Sequence, residues 1–307
     1  MVLAVDLFGF HRNAHTPGTK EAAIWTGVWL TLSLGFNGLI LQWMGPGKAL
    51  EFLTGYLVEY SLSVDNVLVF ILIFSNFAVP AAYQHRVLFW GVLSALALRG
   101  IMVAAGATVI GNFHWALYLF GVFLIAISIK TLFSGTEKID IARHPLLKFV
   151  RQILPVTDNY HGSRFCIRRH GRWMLTPLAM TLVMVEVADA VFAVDSIPAI
   201  FGITRDPFIV YTSSVCAALG LRSLYFLVAG FIHRLAYLKY GLAIVLAFIG
   251  LKMLLNEIYP IPTAISLAVI GSILLIVIGF SLLVKRQHAV PDRQKLNSVP
   301  SQTSHVL

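Results

Sequence analysis

Five carboxylates, Glu59, Asp65, Glu186, Asp189 and Asp195, and two arginines, Arg99 and Arg222, stand in runs of residues that are otherwise apolar. "LVEYSLSVDNVLVFILIF" (57–74) holds the first two acids and "VEVADAVFAVDS" (185–196) the other three. At about 2.5–3.5 kcal/mol for each charge at the centre of a lipid-facing helix, seven of them would cost on the order of 20 kcal/mol. That exceeds the roughly 5–15 kcal/mol that keeps a typical domain folded, so these side chains must face one another, water or a bound ion. One reading is a structural network in which the arginines neutralise two of the acids. Five negative charges against two positive leave three over, and carboxylates in that setting hold either protons or a cation. The surplus favours a cation site, with Arg99 and Arg222 balancing or gating its charge.

The donor types narrow the cation. All ten histidines fall in loops, tails or the ends of apolar runs; of the two cysteines, Cys166 lies in a basic loop and Cys216 in an apolar run. Apart from Cys216, the middle of the apolar runs therefore offers oxygen donors, which suit Mg, Ca and Mn and disfavour Cu(I) or a typical Zn site. A monovalent ion would need fewer charged ligands. Two cysteines make no disulfide framework. Helical geometry adds a constraint, since Glu59 and Asp65 are separated by roughly 9 Å along a helix and about 120° around it. Either the helices are broken, as Pro198 just after Asp195 would favour, or the acids divide into an inner ligand set and an outer relay.

The elements that must position these charges follow from composition. Of 307 residues, 58% are hydrophobic and 12% charged, and the mean hydropathy is +0.81. This is an integral membrane protein of all-α, polytopic class, a single transmembrane domain over residues 1–307. Eight stretches suffice to span a bilayer, near 23–43, 53–74, 87–109, 115–133, 175–200, 207–231, 240–257 and 263–284, and "MVLAVDLFGF" reads as the second half of a ninth. The net charge of +9 points to topology rather than to nucleic acid. Seventeen of the 23 Lys and Arg fall on one side, eight of them in 134–174, against Lys48 and Arg205 opposite. The positive-inside bias then places the C-terminus, with a disordered tail over 285–307, in the cytoplasm and the N-terminus outside, in a cell membrane.

The charged residues also anchor an internal repeat. "EYSLSVDN" (59–66) matches "DAVFAVDS" (189–196), pairing Glu59 with Asp189, Asp65 with Asp195 and Asn66 with Ser196. "ALALRGIMVAAG" (95–106) matches "AALGLRSLYFLVAG" (217–230), and "IAISIKTLF" (125–133) matches "LAFIGLKMLL" (246–255), pairing Arg99 with Arg222 and Lys130 with Lys252. Each repeat, about 53–133 and 175–257, holds three crossings, so the second must run upside down relative to the first. Inverted repeats with an ion site where the halves meet are an architecture of secondary transporters. The basic linker 134–174 carries "HPLLKFVRQILPVTDN", which reads as an interfacial helix on the inner leaflet; docking of a protein partner is the alternative use of this loop.

Through "FLTGYLVEYSLSVDNVLVF", "VEVADAVFAVDSIPAIF", "DPFIVYTS" and "LKYGLAIVLAFIGLKML", nearly the whole chain resembles the TerC family of integral membrane proteins, and within it the pH-responsive Alx-type members. The resemblance implies export of a divalent metal cation, with Mn(II) as transported substrate rather than prosthetic group, and protons as the exchanged ion. Matched to those motifs, the implied ion pathway comprises Glu59, Asp65, Asn66, Glu186, Asp189, Asp195 and Ser196. A membrane scaffold that supplies metal to, or docks, exported partner proteins is the alternative. No His-rich site, nucleophile motif or phosphate loop accompanies the acids, so an enzyme is not expected.

Overall fold

A computed structural model describes residues 18–113, 115–133, 155–157, 159–169, 172–229, 238–256 and 258–287. The expected half-helix at the N-terminus, most of the interfacial helix expected within 144–159 and most of the tail lie outside the described residues; residues 155–157 are described and are not helical, Val156 forming a parallel bridge with Leu175. Among the described residues there are eight long helices: α1 (Thr19–Met44), α2 (Pro46–Asn76), α3 (Ala81–Asn112), α4 (Ala116–Phe133), α5 (Pro177–Phe201), α6 (Pro207–Ala229), α7 (Leu238–Leu255) and α8 (Thr263–Gln287). Seven of them, all but α7, are long and apolar enough to cross a membrane.

Their boundaries have local causes. Gly45 turns the chain at φ 87°, a left-handed backbone that disfavours other residues, and Pro46 then opens α2. Thr176 caps α5 by accepting from the Ala179 amide at 3.4 Å, with Pro177 at the first helical position. Asp206 does the same for α6 through the Phe208 amide at 3.1 Å, ahead of Pro207. Pro198 does not break α5, which continues as α-helix to Phe201. Of the two alternatives, the broken helix at Asp195 is not the one observed: Pro198 removes one amide donor from the ladder, and helical bonding resumes beyond it, Gly202 N donating to the Pro198 carbonyl at 3.0 Å.

The linker also differs from expectation. Before α5 lies an antiparallel hairpin, β1 (Cys166–Arg169) with β2 (Arg172–Leu175), pairing Ile167 with Met174 and Arg168 with Trp173. The preceding strand-like segment is bound to it through Thr157 N to Leu175 O, 2.8 Å. The module is fastened to the α2–α3 turn. Tyr160 donates to the Phe77 carbonyl at 2.6 Å, Arg86 donates to Ser163 at 2.6 Å, and the Arg86 guanidinium lies 5.4 Å from the Phe165 ring centre.

Packing pairs helices across the two sequence repeats, most extensively α4 with α7, α2 with α6 and α3 with α5. Gly121 and Gly250 meet where α4 crosses α7, and a Cβ on Gly250 would lie 2.7 Å from the Gly121 carbonyl oxygen. Two turns along, Ser128 donates to the Ala243 carbonyl at 2.7 Å. The two helices therefore run antiparallel, and the 122-residue offset that aligns Lys130 with Lys252 turns one contact into the other. Because the obstruction is backbone, Gly250→Ala is expected to destabilise the protein by about 1–3 kcal/mol. Gly271, with open space around its Cβ position, is the control; thermal unfolding of the purified variants checks both.

Candidate functional site

Glu59, Arg99 and Asp189 sit near the middles of α2, α3 and α5. All three are buried, at 1%, 1% and 3% exposure. The Arg99 guanidinium bridges the two acids: Nη1 donates to Glu59 Oε1 and, at 2.7 Å, to Ser214 Oγ on α6, while Nη2 donates to Asp189 Oδ1 at 3.2 Å. This group occupies the seam between two apolar clusters, one containing Val58, Val103 and Ile197, the other Val67, Val185 and Leu221. In such surroundings charge interactions are far stronger than in water and a charge lacking a partner is costly.

The network leaves oxygen atoms over. Glu59 Oε2, Asp189 Oδ2, Ser63 Oγ and Ser196 Oγ are buried without a hydrogen-bond partner among the described residues. Ser63 is one turn beyond Glu59 on α2, and Ser196 is two turns beyond Asp189 on α5. Two carboxylate oxygens and two hydroxyls are hard donors, the kind that Mg, Ca and Mn accept. Among the described residues, no three His, Cys, Asp or Glu side chains come close enough together to hold a metal ion.

The other acids are distributed. Glu186, half-buried on α5, accepts from Ser94 Oγ on α3. Asp195 is half-buried further along α5, and Asn66 is buried on α2. Asp65 falls within α2, but its side chain lies outside the described residues. Continuous helices carrying one inner pair and separate outer acids are the divided arrangement that straight-helix geometry allows. Arg222 stands elsewhere, around a narrow cleft with Glu21, Trp25, Trp29 and His85.

Three side chains that the sequence alone did not single out complete the picture. Ser214 fixes Arg99, Ser94 holds Glu186, and Ser63 contributes a free hydroxyl. Their only sequence signal is a hydroxyl in an apolar run, and most such hydroxyls merely bond their own helix. Ser61 does so to the Leu57 carbonyl at 2.6 Å, and Thr212 to the Phe208 carbonyl at 2.6 Å.

Long apolar helices around a buried, ion-paired polar group define a polytopic membrane protein with charged residues held in mid-structure. The chain belongs to the integral membrane protein TerC family, whose model matches residues 44–289. An uncharacterized membrane protein of Myxococcus xanthus, STKORF319, is 47% identical over 94% of this chain and 90% of its own length. Putative membrane-bound redox modulators named Alx are similar too: that of Escherichia coli (strain K12) is 46% identical over 96% of this chain and 94% of its own, and that of Photorhabdus laumondii 43% over 95% and 94%. No solved structure matches.

Proposed function

We propose that the chain is a secondary transporter that exports a divalent cation, Mn(II) foremost, in exchange for protons, and that its two three-helix repeats are related by inversion. The observation that carries this reading is the meeting of Glu59 and Asp189, corresponding positions of the two sequence repeats, at one buried arginine, each with an oxygen to spare. The antiparallel, offset-matched contacts between α4 and α7 support inversion. Arg99 then acts as a resident counter-cation, which the cargo displaces from the two acids while Ser63, one turn from Glu59, adds a hydroxyl; Ser196, about 10 Å further along α5 than Asp189, belongs to the approach. Glu186, Asp195 and Asn66 line the approach, and protonation of a carboxylate discharges the metal, because metal binding requires the deprotonated ligand.

The Alx relatives are named as redox modulators. Cys166 is exposed on β1, Cys216 lies within α6, and both are free thiols. Handling of a metal is the reading that the acids support. Its test is cellular: in bacteria lacking their own manganese exporter, expression is expected to lower total Mn several-fold during growth in added Mn(II). Unchanged Mn in cells that hold the protein in the membrane would exclude export.

A further inference from the structure

At the end of the bundle where α2 and α8 begin and α5 and α7 finish, a cavity of about 210 Å³ is lined by Glu51, Thr204, Arg205, Lys252, Asn256 and Thr263, among others. Lys252 is 6% exposed, and among the described residues no hydrogen bond or salt bridge reaches its ammonium group. The acid nearest in kind is already engaged. Glu51 accepts from Lys48 at 2.8 Å and from the Thr204 hydroxyl, and Lys48 also pairs with Asp206 at 3.3 Å. Of the charged side chains that line the cavity, Arg205 and Lys252 stand against Glu51, which leaves one positive charge in excess, while Lys48 pairs with Asp206 outside the lining.

Repeat symmetry does not account for that lysine. Its counterpart, Lys130, is exposed near the end of α4, whereas Lys252 is turned into the cavity wall. A buried charge is tolerated when it is paired, and three lining side chains can donate to a ligand, the Lys252 ammonium, the Arg205 guanidinium and the Asn256 NH2, beside the Glu51 carboxylate that Lys48 and Thr204 already engage. A fork of guanidinium and ammonium donors matches an oxyanion or carboxylate. The volume exceeds the roughly 30 Å³ share of one water several-fold, enough for an anion of formate or phosphate size.

We propose that this cavity is an anion site, taking a small, singly charged oxyanion or carboxylate between Lys252, Arg205 and Asn256. The site is independent of the cation site at Arg99. The test is isothermal titration of the full-length protein in detergent micelles with formate and, separately, inorganic phosphate. Saturable binding of at least one probe is expected, weakened about tenfold or more in Lys252→Met, as loss of a hydrogen bond to a charged group implies, and largely kept in Lys252→Arg. If Lys252→Met does not fold, Arg205→Gln, altered at an exposed side chain, is expected to weaken the same binding several-fold. Absence of saturable binding by either probe, the cavity then holding only water, would overturn the proposal. So would equal affinity in wild type and whichever of these two variants folds.

Discussion

Replacing Arg99 with Met is expected to cost the protein about 3–5 kcal/mol, the range for removing one partner of a buried ion pair. The magnitude follows from the surroundings. Arg99 is the cation that bridges Glu59 and Asp189, all three lie between apolar clusters, and without it two carboxylates face each other with only Ser214 released nearby. Arg99→Lys is expected to recover part of the loss, since an ammonium restores the charge without the planar fork that spans two acids. Thermal unfolding in micelles measures both. Added Mn(II) is expected to stabilise Arg99→Met more than wild type, because the cargo no longer competes with the guanidinium for the same oxygens. An Arg99→Met variant as stable as wild type would show that the acids are uncharged in the folded protein.

Glu59→Gln and Asp189→Asn are expected to act the other way, sparing the fold while disabling the ion site. An amide oxygen still accepts from Arg99, and the other acid keeps the guanidinium paired with a counter-charge. Each removes one of the two inner charges, and since even partners one shell beyond a metal's ligands are worth about 10–100-fold in affinity, the loss of Mn(II) affinity is expected to be at least that large. Glu186→Gln is expected to do less, because Glu186 is tied to Ser94 on the α3–α5 face rather than to the Arg99 group. Titration of Mn(II) into the three folded variants ranks them.

Helix number and placement were legible because an apolar run long enough for the bilayer has few alternatives. The helix starts at Gly45-Pro46, Thr176-Pro177 and Asp206-Pro207 were not read from the sequence, and the second span, expected from 53, begins at Pro46 because hydropathy alone does not mark the polar first turns. The hairpin was not legible, because "CIRR" and "RWML" are four residues each and lack an apolar–polar alternation that separates them from a basic loop. At the site, the cost of charge in an apolar run singled out Glu59, Asp189 and Arg99 before any geometry was known. It could not divide inner from outer acids, which depends on which helix faces meet. Nor could it separate Arg99 from Arg222: residue 222 follows Ser214 by eight positions on α6, about 12 Å along the axis, and the cleft it lines involves α1, a helix outside both repeats.

In the proposed function a divalent cation crosses the membrane by way of Glu59 and Asp189. Purified protein in sealed liposomes containing a Mn(II)-quenched dye, with a proton gradient imposed, tests it directly. Rapid quenching is expected with wild type on addition of external Mn(II), with acceleration by an opposing proton gradient, and only the rate of protein-free liposomes with Glu59→Gln or Asp189→Asn. Wild-type liposomes no faster than protein-free ones, or undiminished flux in both variants, would contradict it.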